Sequence, residues 1–131
     1  MKHKVLIVDD DTDDQILFVE ALLNIDPFCE CDAVDNGVEA LNFLRNTNTL
    51  PSVILLDLNM PLMNGHLFLE KMKKIAEFKH IPVAVFSTSA NIDDDHTSKK
   101  LGANFFFTKP NNIKDLKKAI TKVMFPATGK Y

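Results

Sequence analysis

The chain contains no tryptophan and only two cysteines, Cys29 and Cys31, among its 131 residues. A single C-x-C pair cannot form a disulfide framework, and a zinc site would need further ligands. We therefore predict that both cysteines are small residues of a half-buried strand. The absence of structural disulfides favours a reducing, cytoplasmic location.

Long hydrophobic runs are also missing. Apolar runs such as residues 53–56 and 105–107 are far too short to span a bilayer. The N-terminus offers only residues 5–8 before three aspartates, whereas a signal peptide has a longer apolar segment. The sequence therefore predicts no membrane association.

The composition is that of a globular protein, with 46% hydrophobic and 25% charged residues. A chain of 131 residues is long enough to bury a core without disulfides or metal. We predict one domain over residues 1–125, a short C-terminal tail over residues 126–131, and no second domain.

Charge is distributed unevenly along the chain. Residues 1–60 carry 12 acidic and 3 basic side chains, whereas residues 61–131 carry 6 acidic and 12 basic ones. Most lysines of the second half fall in helical patterns, and no helix-turn-helix or zinc-finger motif accompanies them. They are interpreted as solvated helix faces, and no nucleic-acid partner is expected.

Five short apolar runs alternate with five segments of helical periodicity. The predicted strands cover residues 4–8, 31–34, 53–56, 82–86 and 104–108, and the predicted helices cover 13–25, 37–46, 65–78, 93–101 and 112–124. Strands joined by helices are parallel with right-handed crossovers. We expect an α/β fold, a flavodoxin-like doubly wound (βα)5 domain whose five-stranded parallel sheet has the order 2-1-3-4-5.

The first helix is predicted to bury one apolar stripe, with Thr12 or Asp11 as its N-cap. That stripe consists of Ile16, Val19, Leu22 and Leu23. In the second helix Val38 is expected to point inward with Leu41, Phe43 and Leu44.

Polar residues follow four of the five predicted strands. They are Asp9-Asp10-Asp11 after the first strand, Asp57 and Asn59 after the third, Ser87-Thr88-Ser89 after the fourth, and Lys109-Pro110 after the fifth. In the order 2-1-3-4-5 these four strands are neighbours. Their polar ends should therefore meet at the carboxyl edge of the sheet, where open α/β sheets bind ligands.

The carboxylates of Asp9, Asp10 and Asp57 should lie close together at this edge and need a proton or a cation, because like charges repel at short range. Oxygen ligands without histidine or cysteine favour a hard ion, most naturally Mg²⁺. Lys109 would balance a phosphate, and the Ser87 hydroxyl would bond another phosphate oxygen. Asp57 directly follows a buried strand and could act as a nucleophile that forms an acyl phosphate.

These residues resemble the receiver domains of two-component response regulators over about residues 4–124. The first strand ends in the acidic pair Asp9-Asp10, and residues 57–65 match D-x-x-M-P-x-x-x-G. Ser87 also lies 22 residues before Lys109, as in the family. Within it, the chain is most similar to small stand-alone receivers, including those paired with phytochrome-type kinases.

The resemblance implies a role for each motif residue. Asp57 would be the phosphoacceptor, and Lys109 would grip the phosphate, with a cis peptide bond between Lys109 and Pro110. Ser87 and Phe106 would form the conformational switch. The Mg²⁺ ligands would be Asp10, Asp57, the backbone carbonyl of Asn59, and Asp9 through water.

The resemblance also implies partners. A sensor histidine kinase or a histidine phosphotransferase would supply the phosphoryl group. A downstream protein, or a second copy in a homodimer, would bind the face made by the fourth helix, fifth strand and fifth helix. Such a protein is a signalling phosphoacceptor, which catalyses only its own phosphorylation and dephosphorylation, and no output domain is expected here.

The sequence departs from the family pattern at three positions. Asn111 replaces the aromatic residue that usually follows the Lys-Pro pair, and Phe106 lacks the hydroxyl of a tyrosine at the switch position. The fourth strand ends in three hydroxyl residues, of which spacing selects Ser87.

Three other functions fit parts of the pattern. An aspartate-nucleophile phosphatase would need a second acid at position 59, where this chain has Asn59. A flavodoxin-like cofactor binder would hold a phosphate at the end of the first strand, where this chain has the three carboxylates of Asp9-Asp10-Asp11 that would repel it. An interaction module independent of phosphorylation would have no use for the acidic pocket.

Overall fold

The computed structural model describes residues 3–60, 63–88 and 92–125, and there five strands alternate with five helices. In chain order they are β1 (Lys4–Val8), α1 (Thr12–Ile25), β2 (Glu30–Val34), α2 (Gly37–Asn46), β3 (Val53–Asp57), α3 (Gly65–Lys73), β4 (Val83–Ser87), α4 (Ile92–Lys100), β5 (Phe105–Thr108) and α5 (Ile113–Met124). Every predicted boundary lies within one residue of the observed one except the end of α3. The predicted tail over residues 126–131 lies outside the described residues, as do Pro61 and Ser89.

The five strands form one parallel sheet in the order β2-β1-β3-β4-β5, which confirms the predicted topology. All residues of β3 and β4 are buried. This is why their sequences are nearly continuous apolar runs, since helices cover both faces of the sheet. β2 lies at the edge and is partly exposed, and its sequence is correspondingly more polar than those of β3 and β4.

Alternate residues of each strand enter two separate hydrophobic cores. Val5 and Ile7 of β1 pack with α1 and α5, whereas Leu6 and Val8 pack with α2 and α3. Complete burial of an aromatic side chain such as Phe68 or Phe86 contributes roughly 1.5–3 kcal/mol. The two cores hold the strands from both sides and fix the positions of their carboxyl ends.

Asp11, not Thr12, caps α1. Its side chain accepts hydrogen bonds from the backbone N–H groups of Asp13 and Asp14, and such a cap contributes about 1 kcal/mol. The cap makes the chain turn into α1 immediately after β1, so the first turn of the helix lies beside the carboxyl edge of the sheet.

The predicted stripe of α1 is wrong in part. Phe18, Ala21 and Leu22 are the buried residues, whereas Ile16 and Leu23 are 60% and 41% exposed. Apolar residues surround most of this helix, and packing against α5 selects the face that is buried.

Two further helix predictions need correction. Val38 of α2 is exposed, although Leu41 and Leu44 are buried as expected. α3 ends at Lys73 rather than at residue 78, because the chain then turns, with Ile75 N–H donating to the Met72 carbonyl. The turn still buries Phe78.

The predicted cis bond before Pro110 is also wrong, since no cis peptide bond occurs among the described residues. The trans form is intrinsically favoured before proline by about 0.5–1 kcal/mol.

The two cysteines lie at the beginning of β2. Cys29 is buried just before the strand, and Cys31 lies within it. The two sulfur atoms are 3.8 Å apart. No helix in the described part of the chain has the length and apolar character needed to cross a membrane.

Candidate functional site

Three carboxylates meet at the carboxyl edge of the sheet. Val8 and Leu56 are register partners in β1 and β3, so the next residues, Asp9 and Asp57, lie side by side. One oxygen each from Asp9, Asp10 and Asp57 lies within 4.8 Å of the others. Asp9 and Asp57 are buried, whereas Asp10 is exposed. The structure therefore brings together the acidic residues selected from the sequence.

Lys109 extends into this cluster from the end of β5. Its Nζ lies 2.8 Å from Asp9 Oδ2 and 3.8 Å from Asp57 Oδ1, and only 11% of its side chain is exposed. The Lys109 backbone N–H donates to the Ser87 carbonyl at 2.6 Å. This bond ties the end of β5 to the end of β4 and positions the lysine.

Asp14 also contacts the lysine, and sequence reasoning did not select it. Its Oδ2 lies 2.6 Å from Lys109 Nζ, closer than either other carboxylate. Asp14 lies in the first turn of α1, one helical turn before the buried Phe18. The periodicity of α1 could not identify it, because apolar residues occupy most sides of this helix.

Burial and mutual repulsion change the ionisation of the carboxylates. Burial raises the pKa of Asp9. Burial, reinforced by the charge of Asp9, raises the pKa of Asp57 to about 7. Burial by itself would lower the pKa of Lys109, but the Asp14 and Asp9 carboxylates outweigh it and raise that pKa. The site thus holds a fixed positive charge beside carboxylates that are costly to ionise together.

The hydroxyl residues at the end of β4 occupy different positions. Ser87 is completely buried and lies one residue beyond Phe86, the register partner of Asp57. Thr88 is exposed, and its hydroxyl accepts a hydrogen bond of 3.2 Å from the Asn59 side-chain amide. The backbone N–H of Asn59 donates to Asp57 Oδ1 at 3.3 Å, which helps to orient the carboxylate.

Phe106 is half-buried and lies opposite Val85 of β4. It packs against the core on the α2 and α3 side of the sheet. Phe105 and Phe107 point to the other core, where the Phe107 ring stacks on Phe86 with centroids 5.2 Å apart. Of the three consecutive phenylalanines at 105–107, Phe106 is therefore the one on the same side of the sheet as α3.

The donor set of the cluster fits a small divalent cation. It consists only of carboxylate oxygens within 4.8 Å of one another, and Asp10 keeps it accessible to solvent. Hard cations such as Mg²⁺ or Mn²⁺ prefer oxygen ligands and retain several waters. A cation would also relieve the repulsion between Asp9 and Asp57.

Comparison with known proteins bears on these observations. The protein-family model described as the response regulator receiver domain matches residues 5–121 of this chain. The chain belongs to this family. It is therefore a receiver domain that acts as a phosphoacceptor in two-component signalling, and such domains interact with histidine kinases or histidine phosphotransferases.

Individual relatives cover nearly the whole receiver. The response regulator Rcp1 of Synechocystis sp. is 36% identical over 88% of this chain and 82% of the relative. The sporulation initiation phosphotransferase F of Bacillus subtilis (strain 168) is 35% identical over 95% of both chains.

Two solved structures resemble the receiver in fold and sequence. One is the phosphorylated cyanobacterial phytochrome response regulator RcpA, with a TM-score of 0.87 and 35% identity over 98% of both chains. The other is the Mn²⁺-bound form of Rcp1, with a TM-score of 0.83 and 33% identity over 95% of this chain and 96% of that one.

Proposed function

We propose that Asp57 is the residue that accepts the phosphoryl group, with Mg²⁺ held beside it. The observation that carries this proposal is the convergence of Asp57 with two other carboxylates and a nearly buried lysine. Asp57 ends a strand that is buried throughout, so its position is rigid. Rigid placement of the nucleophile is what an in-line transfer requires.

In the transfer, a carboxylate oxygen of Asp57 attacks the phosphorus of a phosphohistidine. The new O–P bond forms as the P–N bond breaks, and the imidazole leaves with the electron pair and takes a proton from water. A bound Mg²⁺ would offset the charge on the phosphoryl oxygens. Asp10 would hold that ion directly, Asp9 through water, and Asn59 through its carbonyl.

Lys109 and Ser87 are proposed to bind the transferred group. The Lys109 ammonium would donate to one phosphoryl oxygen, and the Ser87 hydroxyl to another after moving toward Asp57. Phe106 would turn further inward as Ser87 moves. Hydrolysis of the acyl phosphate by the same site would end the signal.

A phosphatase with an aspartate nucleophile is the principal alternative. It needs an acid at position 59 to protonate the leaving group, and the Asn59 side chain instead bonds Thr88. This arrangement favours a stored phosphoryl group over turnover of a substrate.

The partners follow from the same role. We propose a histidine kinase or histidine phosphotransferase as donor, and a downstream protein or a second copy on the face of α4, β5 and α5. That face exposes Ile92, at 68%, and the lysines Lys114, Lys118 and Lys122. A cytoplasmic location is proposed from the free thiols of Cys29 and Cys31.

Phosphorylation by a small donor tests the assignment. The protein is incubated with acetyl phosphate and Mg²⁺, and the acyl phosphate is trapped and mapped by mass spectrometry. Wild type and a control, Asp32→Asn in β2, should carry one phosphoryl group at Asp57. Asp57→Asn should carry none, and undiminished modification of that variant would contradict the proposal.

A further inference from the structure

We propose that Asp14 is a positioning residue that competes with the phosphoryl group for Lys109 and thereby lowers the affinity of the receiver for it. This inference rests on the proposed role of Asp57. It concerns the position of the lysine in the unphosphorylated protein, because that position decides which ion pair must break before the lysine can bind phosphate.

The distances show which groups hold the lysine. Its Nζ lies 2.6 Å from Asp14 and 2.8 Å from Asp9, both within hydrogen-bond range, but 3.8 Å from Asp57. Asp14 and Asp9 are thus the closest ion-pair partners of the ammonium group. The resting lysine is therefore paired more closely with the flanks of the site than with Asp57.

The two flanking carboxylates differ in how easily they can release the lysine. The Asp9 side chain is 1% exposed, so an ionised Asp9 needs a cationic partner. The Asp14 side chain is 33% exposed and can be rehydrated. It also lies in the first turn of α1, where the helix N-terminus stabilises a negative charge without the lysine. Asp14 is therefore the contact that Lys109 can give up.

A phosphoryl group on Asp57 binds Lys109 only by sharing it with Asp14 or displacing it. Displacement reduces the affinity for the group by the free energy of the Lys109–Asp14 pair, and sharing reduces it by part of that free energy. A neutral residue at position 14 should strengthen binding through the lysine. Loss of a charge that does not touch the lysine should have a smaller effect.

The test measures the affinity for beryllofluoride, a phosphoryl mimic, by fluorescence or NMR titration at saturating Mg²⁺. Asp14→Asn is compared with Asp13→Asn, which removes the same charge from the same helical turn but makes no ion pair among the described residues. We expect Asp14→Asn to bind at least about threefold more tightly than Asp13→Asn, because a unit charge at this range contributes a factor of that order even in water. Asp14→Glu, which restores the charge, should approach wild-type affinity.

A Lys109→Ala background separates contact with the lysine from a general charge effect. There Asp14→Asn should tighten binding no more than Asp13→Asn does. The ¹⁵N resonance of the Lys109 ammonium should also shift in unliganded Asp14→Asn and not in Asp13→Asn. If Asp14→Asn is poorly folded, Asp14→Ser replaces it, since serine is also accepted at a helix N-terminus.

The outcomes separate the two proposals. Failure of the wild type to bind beryllofluoride with Mg²⁺ would contradict the phosphoacceptor role itself. If the wild type binds but Asp14→Asn is equal to Asp13→Asn or weaker, only the competition by Asp14 is overturned. Equal tightening with and without Lys109 would also overturn it.

Discussion

Gly65 lies directly against the backbone of Asp57. A Cβ added at Gly65 would lie 2.8 Å from the carbonyl oxygen of Asp57, and the Gly65 N–H donates to the Leu58 carbonyl at 2.9 Å. The beginning of α3 is thus packed behind the proposed phosphoacceptor without room for a side chain. This contact gives the glycine of the D-x-x-M-P-x-x-x-G motif a physical reason.

Gly65→Ala is expected to destabilise the protein by about 1–3 kcal/mol, since the added methyl group meets backbone atoms that cannot move independently. Urea denaturation measures the loss. Gly37→Ala is the matched control, because the three atoms nearest to its added Cβ all belong to the flexible Met63 side chain. Alanine also favours helix over glycine by about 0.8–1.0 kcal/mol. Equal losses in the two variants would contradict the steric explanation.

Asp10→Ala should weaken Mg²⁺ binding strongly, because it removes a proposed direct ligand from the cluster. Asp9→Ala should weaken it less if Asp9 acts through water. Calorimetric titration measures both affinities, with Asp13→Ala as a control for loss of charge nearby. EDTA should abolish phosphorylation of the wild type. Unchanged affinity in Asp10→Ala would refute this ligand assignment.

The raised pKa of Asp57 predicts how metal-free stability depends on pH. Burial and Asp9 raise that pKa from 3.8 to about 7, so the folded state holds a proton that the unfolded state has lost in this range. Stability should therefore fall as pH rises from about 4 to about 7. Asp57→Asn removes this dependence, so the variant should gain stability relative to wild type across that window.

Denaturation in EDTA at several pH values checks this prediction. The difference in free energy of unfolding between Asp57→Asn and wild type should be larger at pH 8 than at pH 5. A constant difference for Asp57→Asn would mean that this carboxyl does not titrate in the window.

Ser87→Ala should still accept a phosphoryl group on Asp57 but lose the conformational response. The Ser87 side chain is buried at the end of β4, where its hydroxyl would move to the phosphoryl oxygens. A charge-assisted bond of roughly 1.5–3 kcal/mol is enough to shift a two-state equilibrium by one to two decades. Amide NMR shifts in α4, β5 and α5 with and without beryllofluoride measure the response.

Thr88→Ala provides the comparison for this switch. Its exposed hydroxyl bonds Asn59, so the variant should keep the response in α4, β5 and α5. If Ser87→Ala responds like wild type and Thr88→Ala does not, the hydroxyl that transmits the signal belongs to Thr88.

The sequence alone determined the topology and most of the site. Residues 53–56 are continuously apolar because β3 is covered on both faces, and the alternation of such runs with helical segments specifies a parallel sheet. In a parallel sheet the strand ends share one edge. The proximity of Asp9, Asp57 and Lys109 therefore followed from their positions immediately after the strands.

The rotation of α1 was decided only by the tertiary structure. Apolar residues occupy most sides of this helix, so periodicity could not choose between the stripe containing Ile16 and the one containing Phe18. Packing against the sheet and α5 buried Phe18 and Leu22, and the same rotation directed Asp14, four residues before Phe18, onto Lys109. A helix is rigid, so the contact that fixes its buried face also fixes every polar residue on that face. The sequence could name the lysine and Asp9, but only the packing of α1 showed that Asp14 also pairs with the lysine.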